Sequence, residues 1–329
     1  MYKAIDFVIP WVDGNDKDWQ KEKAKYEGTN SGDNRDIRYR DYENLHFWFR
    51  GVEKYAPWVN KIHLITWGHL PAWLNVKHPK LNIVRHKDYI PKEYLPTFNS
   101  HVIEIHLHRI EGLSEQFVYF NDDIFITRPL VREDFFENGY PKDIAALDVS
   151  IRADEIHGSA VANCTYAINR YFDKNKTIKE NFSKWFNPSY GKYLIKTLML
   201  SSWKNFTGFQ TTHLATSYLK STFEKVWERE ETNLKATSQH KFRDKRDLMQ
   251  FIFKFWQLAE GNFVPGKLLG KNYDLGKELD SALHAIKNQH HKLICLNDND
   301  GIKDFEAVKE RVNKSFQKVF PKKSEFEIQ

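Results

Sequence analysis

The sequence predicts an α/β domain in which helices flank a largely parallel sheet, with a helical insertion or second lobe. Three apolar segments, at residues 4–12, 61–67 and 81–86, have the composition of buried strands. Amphipathic segments alternate with them, and this alternation is typical of parallel sheets. The 329 residues are enough for one large domain with insertions or for two lobes. We expect a single domain over residues 1–329.

Residues 1–138 are expected to form the α/β core. A helix is predicted over residues 41–55, because apolar residues recur there with helical spacing and Pro57 follows. A second helix is predicted over residues 100–111, and a long apolar strand over residues 117–126. Ligands of parallel sheets collect at the carboxyl ends of the strands, so polar side chains at those ends are the candidates for a site.

Residues 139–208 are less regular and are expected to form a variable insertion, with a strand at 144–151 followed by helical segments. Residues 209–329 are expected to be a helical part that ends with one more strand, at 293–296, and a last helix. Hydrophobic spacing predicts the helices of this part over residues 213–229, 243–260 and 305–319.

Composition excludes several classes of protein. The formal charge of +6 arises from 50 basic and 44 acidic residues, an excess too small to indicate nucleic-acid binding. It is compatible with anionic substrates or with peripheral association at an inner membrane face. Only Cys164 and Cys295 occur, which argues against a disulfide framework or a structural zinc site. The N-terminus resembles a strand and not a signal peptide, so a cytoplasmic protein is expected.

The segment FVYFNDDIFI places Asn121, Asp122 and Asp123 inside an apolar and aromatic run. Ionised carboxylates are costly to bury unless a cation or a hydrogen-bond donor compensates them. Oxygen ligands favour Mg²⁺ or Mn²⁺. The alternative is an ordinary turn, since Asn-Asp is common in turns.

Three further polar clusters adjoin apolar elements, and each has an ordinary structural alternative. The sequence WVDG at 11–14 follows the first strand. NDND at 297–300 follows the last strand, and its alternative is an ordinary loop. His213 precedes a predicted helix, where a histidine is more often a structural hydrogen-bonding group. Arg243 lies in a charged string, where a solvated position or an ion pair with Asp247 is the default interpretation.

Taken together and in order, these blocks resemble the Stealth family. This family comprises hexose-1-phosphate transferases of microbial surface polysaccharides and includes the catalytic subunit of the animal lysosomal-enzyme N-acetylglucosamine-1-phosphotransferase. The resemblance rests on IDFVIPWVDGND, on the stretch from RYRDYENLHFWFRGVEKY to FVYFNDD, on TTHLATSYLKSTFEKVW with HKFRDKRDLMQFIF, and on LICLNDND with FPKKSEFE. Residues from about 139 to 209 resemble the family poorly, so this insertion is a possible acceptor-binding part.

The resemblance implies a single catalytic domain with a Rossmann-like or glycosyltransferase-A-like sheet. It implies transfer of a sugar 1-phosphate from a UDP-sugar, a UDP-hexose or UDP-N-acetylhexosamine, to a hydroxyl of a glycan or lipid-linked oligosaccharide. A phosphodiester of a bacterial surface polysaccharide forms and UMP leaves. Such chemistry uses a divalent cation, here Mg²⁺ or Mn²⁺, together with cationic groups and a base for the acceptor hydroxyl.

The resemblance also implies roles for individual residues. The implied catalytic residues are His213 as general base, Arg243 as a stabiliser of phosphoryl charge, and Asp123. Asp123, Asn121 and Asn299 are the implied metal ligands. The implied donor-binding residues are Trp11, Asp13, Arg40, Asn121, Asp122 and Asn297.

Two other functions remain as alternatives. A metal-dependent nucleotide-sugar glycosyltransferase also holds a diphosphosugar at an acidic strand end, but it releases UDP. A non-enzymatic glycan-binding protein would use the abundant aromatic residues, which make up 15% of the chain. The separated acidic, histidine and arginine clusters favour an enzyme.

Overall fold

The structure, a computed structural model, describes residues 3–28, 32–33, 35–152 and 154–328. The strands are β1 (Ile5–Pro10), β2 (Ile62–Thr66), β3 (Leu81–Arg85), β4 (Gln116–Tyr119), β5 (Ile124–Ile126), β6 (Phe136–Glu137), β7 (Tyr140–Asp143), β8 (Thr216–Leu219), β9 (Val264–Pro265), β10 (Gly270–Asp274) and β11 (Leu293–Asn297). The α-helices are α1 (Lys17–Ala24), α2 (Leu45–Tyr55), α3 (His86–Tyr89), α4 (Ser100–Ile105), α5 (Ile156–Ile168), α6 (Lys174–Glu180), α7 (Phe182–Trp185), α8 (Tyr193–Leu200), α9 (Lys220–Ser238), α10 (Phe251–Glu260), α11 (Leu275–Lys287) and α12 (Phe305–Val319).

The central sheet has the strand order β3-β2-β1-β4-β8. The first four strands are parallel, and β8 runs antiparallel to β4. Helices cover both faces, which explains why β1 and β2 are apolar along almost their whole length. The predicted α/β class with a largely parallel sheet is confirmed.

A second sheet joins β10, β11 and β5, with β5 antiparallel to β11. The prediction of one continuous strand over residues 117–126 is therefore wrong. This segment forms β4 of the central sheet, turns at Asn121–Asp123, and continues as β5 of the second sheet. The turn thus connects the two sheets at the edge where β1, β4 and β11 end.

Helix α2 packs closely on β5. A Cβ atom at Gly51 would lie 2.7 Å from the carbonyl oxygen of Ile126, so only glycine allows this approach. Phe47 and Phe316 stack between α2 and α12, with ring centroids 5.4 Å apart. These contacts fix the second sheet against the N-terminal half of the chain and hold the shared edge in place.

The segment from residue 139 to 208 contains α5 to α8, and α5 packs on α10. The strand predicted at 144–151 is not observed. These residues form an irregular segment with one isolated bridge, between Leu147 and Phe209. The apolar side chains of residues 144–147 are buried in the core, whereas Val149 and Ile151 are exposed, so burial and not strand pairing explains the first half of the pattern.

Several predicted helices differ in extent. The helix predicted over 41–55 begins only at Leu45, and that over 100–111 ends at Ile105 before a 3₁₀ turn. Residues 213–229 are divided between β8, whose TSYL sequence pairs with β4, and the start of α9.

The helix predicted over 243–260 begins at Phe251, because Asp247 accepts hydrogen bonds that hold the preceding loop. The helix predicted over 305–319 is confirmed as α12.

Both cysteines are buried and unbridged. Among the described residues, every helix is too short or too polar to cross a lipid bilayer.

Candidate active site

A cavity of about 260 Å³ opens at the edge where β1, β4 and β11 end. It is lined by strand ends and by the loops before α2 and α4, which is where ligands of open α/β sheets bind. Eight residues predicted for the site line it together: Trp11, Arg40, Asn121, Asp122, Asp123, His213, Arg243 and Asn297.

The turn Asn121–Asp123 forms part of the lining of this cavity. The amide of Ile124 donates to the carbonyl oxygen of Asn121 at 3.1 Å and closes the turn. The amide of Leu296 donates to the carbonyl oxygen of Asp123 at 2.9 Å, so the turn is attached to β11. The acidic doublet is therefore in a turn, and that turn is also part of the candidate site.

His213 reaches the cavity because β8 is antiparallel to β4. Thr216 at the start of β8 pairs with Tyr119 at the end of β4, so the residues before β8 lie beside the Asn121–Asp123 turn. The Nε2 atom of His213 lies 2.8 Å from Nδ2 of Asn121 and 3.5 Å from Oδ2 of Asp123. A side-chain amide nitrogen only donates, so this Nε2 atom is an acceptor.

Six carboxylates share the cavity lining: Asp33, Asp41, Glu104, Asp122, Asp123 and Asp298. Burial, and next the charges of Asp123 and Asp41, raise the pKa of Asp122 to about 7. Asp122 keeps an exposed face, and solvent there weakens this effect. Burial also raises the pKa of Asp41 and of Asp298. Such crowding of acids indicates that positive charge is needed in the cavity.

Among the described residues that line the cavity, four buried carboxylate oxygens have no hydrogen-bond partner: Oδ1 of Asp123, both oxygens of Asp298 and Oε2 of Glu104. Nη1 of Arg40 is 3.6 Å from Oδ2 of Asp298, which is an ion-pair distance and too long for a hydrogen bond. Unpartnered buried oxygens are the donor set that Mg²⁺ or Mn²⁺ prefers, so the residues present fit such an ion.

Cys295 adjoins the same cluster. Its thiol, with Asp123 and His213, offers ligand atoms that all lie within 4.8 Å of one another. However, Sγ donates to Oδ2 of Asp123 at 3.3 Å, and burial together with Asp123 raises the pKa of this thiol well above its ordinary value. A protonated thiol is a poor ligand for a hard cation, so we interpret Cys295 as a hydrogen-bond donor that orients Asp123.

Three arginines, Arg38, Arg40 and Arg243, line the cavity. Arg243 lies in the loop before α10. Its Nε donates to Oγ of Ser100 at 2.9 Å, and this hydrogen bond orients the guanidinium. The guanidinium of Arg40 lies 5.3 Å from the ring centre of Phe305. Arginine at such positions suits the planar recognition of phosphate oxygens.

Trp11 contributes less directly. Its indole Nε1 donates to Oδ2 of Asp41 at 3.3 Å, which ties the end of β1 to the loop before α2.

Two predicted residues do not line the cavity. Asp13 is engaged locally: Oδ1 accepts from the amide of Asn15 at 2.8 Å, and the Asp13 amide donates to His69. The side-chain amide of Asn299 donates to Asp274, and its oxygen accepts from the amide of Gly301 at 2.7 Å. These contacts turn the side chain of Asp13 towards its own loop and the side chain of Asn299 towards the end of β10.

Sequence reasoning missed residues that the structure brings to the cavity: Arg38, Asp41, Ser100, Glu104 and Asp298. Glu104 is buried behind the site, where burial raises its pKa and its Oε1 accepts from the Tyr119 hydroxyl at 3.2 Å. Of these residues, only Arg38 and Asp41, within RYRD, and Asp298, within NDND, belong to motifs that the sequence already indicated as part of the site.

Family comparisons agree with the sequence. Sequence models of conserved regions 1, 2 and 4 of the Stealth proteins match residues 3–31, 38–143 and 284–329. The chain is 44% identical to a capsular polysaccharide phosphotransferase, WcwK, of Streptococcus pneumoniae, over 99% of this chain and 98% of the relative. It is 39% identical to the receptor polysaccharide phosphotransferase WefC of Streptococcus gordonii, over 100% of each chain.

Among solved structures, the galactosyltransferase LgtC in complex with donor and acceptor sugar analogues matches with a TM-score of 0.41 and 10% identity, over 97% of this chain and 98% of that one. The family of the chain follows from the sequence models and from the two relatives, and this structural similarity is not needed for that assignment. The chain belongs to the Stealth family of polysaccharide phosphotransferases.

Proposed function

We propose that this protein transfers a sugar 1-phosphate from a UDP-sugar, a UDP-hexose or UDP-N-acetylhexosamine, to a hydroxyl of a glycan acceptor. The product is a phosphodiester of a bacterial surface polysaccharide, and UMP is released. One observation carries the proposal: the acceptor atom Nε2 of His213 faces Asp123 in a cavity whose wall also carries Arg40 and Arg243.

The step follows from this placement. The acceptor hydroxyl displaces the side-chain amide of Asn121 from Nε2 of His213, attacks the β-phosphorus, and passes its proton to that Nε2 atom. The bond from the β-phosphorus to the bridging oxygen breaks, and its electron pair leaves on UMP. Asp123, at 3.5 Å, stabilises the imidazolium that forms.

In this proposal Asp123 and Asp298 would hold the divalent ion, because both residues line the cavity and have buried carboxylate oxygens without a partner. Asn121 uses its amide nitrogen on His213, so its amide oxygen remains for the ion or the donor. When bound, Mg²⁺ or Mn²⁺ neutralises charge on the diphosphate. Asn299, predicted as a ligand from the sequence, is replaced here by Asp298.

In this proposal the donor diphosphate binds beside Arg38, Arg40 and Arg243. Arg243 stabilises charge on the transferred phosphoryl group, while Arg40 and Arg38 hold the phosphate that leaves. Trp11 and Asn297 line the same cavity and contact the donor in this proposal. Asp122 lies beside the diphosphate, where the positive groups of the site offset its charge.

Product identity tests the proposal. The protein is incubated with Mg²⁺ or Mn²⁺, a panel of nucleotide sugars and acceptor glycans, and both products are identified by mass. Release of UMP with a phosphodiester product is expected. Release of UDP would instead establish a glycosyltransferase, because attack would then occur at the anomeric carbon.

A non-enzymatic glycan-binding protein would behave differently. It would turn over no donor with any metal, and its Asp123→Asn variant would bind glycan as well as the wild type does.

The acceptor in this proposal is a glycan or a lipid-linked oligosaccharide, and the protein acts at the cytoplasmic face of the membrane as a peripheral protein. The helical segment at 139–208 contributes to acceptor binding.

A further inference from the structure

Helix α8 presents an apolar face to solvent. Ile195, Leu198 and Met199 are 64%, 60% and 70% exposed, and Trp203, in the turn that follows, is 55% exposed. Their spacing of three and four residues places the helical members on one side of α8. Contiguous exposed apolar side chains of this kind mark interaction surfaces.

The opposite face of α8 is anchored to the protein. Thr197 and Leu200 are buried, and Tyr193 and Leu194 pack against the core. The amide of Leu147 donates to Oγ1 of Thr197 at 3.0 Å. The exposed side chains therefore lie on a rigid helix and not on a loose loop.

A buried lysine holds the end of this helix. Nζ of Lys174 donates to the carbonyl oxygens of Leu200 and Ser201 at 3.3 and 2.6 Å. Burial lowers the pKa of this lysine, because removing its ammonium group from water costs free energy. Hydrogen bonds to the carbonyl groups at the C-terminus of α8 offset that cost. This contact attaches the C-terminal end of α8, between Met199 and Trp203, to the rest of the protein.

The charged residues of the chain segment that contains α8 have one sign. Between Glu180 and Glu224 the chain contains five lysines and no acidic residue. Lys192 precedes α8 and Lys204 follows Trp203, and both are exposed. Lys196, on α8, pairs with Asp148 at 2.8 Å. Apolar side chains with flanking lysines match the interface of an anionic bilayer, where lysines meet headgroups and apolar groups enter the acyl boundary.

We propose that the α8 surface, comprising Ile195, Leu198, Met199, Trp203, Lys192 and Lys204, docks the protein on an anionic lipid bilayer. With 8 residues, α8 is about 12 Å long, so it lies in the membrane interface and does not cross the bilayer. The inference extends the proposed function, since a lipid-linked acceptor resides at that interface. It is tested by membrane binding, which requires no turnover.

The experiment measures sedimentation of the full chain with vesicles of phosphatidylcholine alone or mixed with phosphatidylglycerol. Binding to the mixed vesicles is expected and should weaken with salt. The triple variant Ile195→Ser, Leu198→Ser, Met199→Ser should bind at least about tenfold less. Exposed apolar residues elsewhere provide the matched control, Val76→Ser, Val131→Ser, Leu268→Ser, which should bind like the wild type.

The lysines are tested separately. Lys192→Gln with Lys204→Gln should lower binding to anionic vesicles by about fivefold for each lysine and leave binding to neutral vesicles unchanged. Trp203 offers a direct readout. All ten tryptophans lie in the described part of the chain, and among them only Trp203 is exposed. Quenching of tryptophan fluorescence by brominated lipid should therefore disappear in Trp203→Phe.

Several outcomes would overturn the inference. Wild-type protein that does not bind anionic vesicles at low salt, or a triple variant that binds as well as the wild type, would exclude membrane docking through α8. A wild-type dimer that the triple variant converts to a monomer, without vesicle binding, would assign the surface to a second copy of the chain. Wild-type protein should release UMP with a soluble acceptor in the absence of vesicles, and the triple variant should bind the donor as tightly as the wild type does, so failure of docking is distinguishable from failure of the proposed function.

Discussion

The Nε2 atom of His213 lies 2.8 Å from the side-chain nitrogen of Asn121, and these residues are 92 positions apart in the sequence. The contact makes Nε2 an acceptor directed into the cavity, with Asp123 at 3.5 Å to stabilise the protonated ring. This arrangement defines the base in the proposed reaction.

His213→Ala should lower kcat for UMP release by about 10²–10⁴-fold, the usual contribution of a general base. Donor binding, measured by calorimetry, should change little, because the arginines and carboxylates of the cavity remain. Near-wild-type turnover with intact donor binding would remove His213 from the mechanism.

Asp298→Asn should raise the Mg²⁺ or Mn²⁺ concentration needed for half-maximal activity by at least about tenfold, because both unpartnered carboxylate oxygens are lost as anionic ligands. The adjacent variant Asn299→Ala is the matched comparison. Its side chain binds Asp274 and Gly301, so the metal requirement should stay the same. A shift in Asn299→Ala but not in Asp298→Asn would restore the assignment predicted from the sequence.

Arg243→Lys should lower kcat more than it raises the KM for the donor, since lysine keeps the charge but loses the planar fork that binds phosphoryl oxygens. Ser100→Ala should lower kcat by about fivefold, corresponding to the loss of one hydrogen bond that orients Arg243. Ser100→Thr retains the hydroxyl and should recover most of the activity. If Ser100→Ala acts only on thermal stability, Ser100 has no positioning role.

Asp247 is expected to stabilise the fold through a buried network. Its carboxylate accepts from Nδ2 of Asn99, Nδ1 of His101 and the amide of Asp244, each at 2.9 Å, and from His240 at 2.6 Å. Asp247→Asn should lower the free energy of unfolding at neutral pH by about 3 kcal/mol, because it leaves buried donors mismatched. Urea unfolding measures the difference.

The pH dependence of that difference has a defined sign. Burial alone would raise the pKa of Asp247, but hydrogen bonds from His101 and His240 outweigh it and lower the pKa from 3.8 to about 2. A lowered folded-state pKa contributes stability that is complete above the unfolded value and is lost as the pH falls through the folded value. The gap between wild type and Asp247→Asn should therefore be constant above about pH 4 and shrink towards pH 2. A gap that grows on acidification would contradict this network.

The sequence predicted those parts of the fold that depend on local patterns. The apolar composition of β1 and β2 indicated buried parallel strands, and the spacing of apolar residues gave the bounds of α12. It failed at β8, where a short β-branched and aromatic segment was assigned to a helix. That strand forms because it pairs with β4, which lies nearly one hundred residues earlier in the sequence. The spacing of apolar residues within a short segment gives no information about such a distant partner.

By itself, the sequence determined the family, the α/β class and the presence of acidic, histidine and arginine groups at strand ends. Only the tertiary structure decided which members of each group face the cavity. In NDND it directs Asp298 inward and Asn299 towards Asp274, and it brings Asp41 rather than Asp13 to the lining. The physical reason is that neighbouring side chains leave the backbone in different directions. Which of them faces a cavity depends on turn geometry and on hydrogen bonds to distant segments, and the complete fold fixes both.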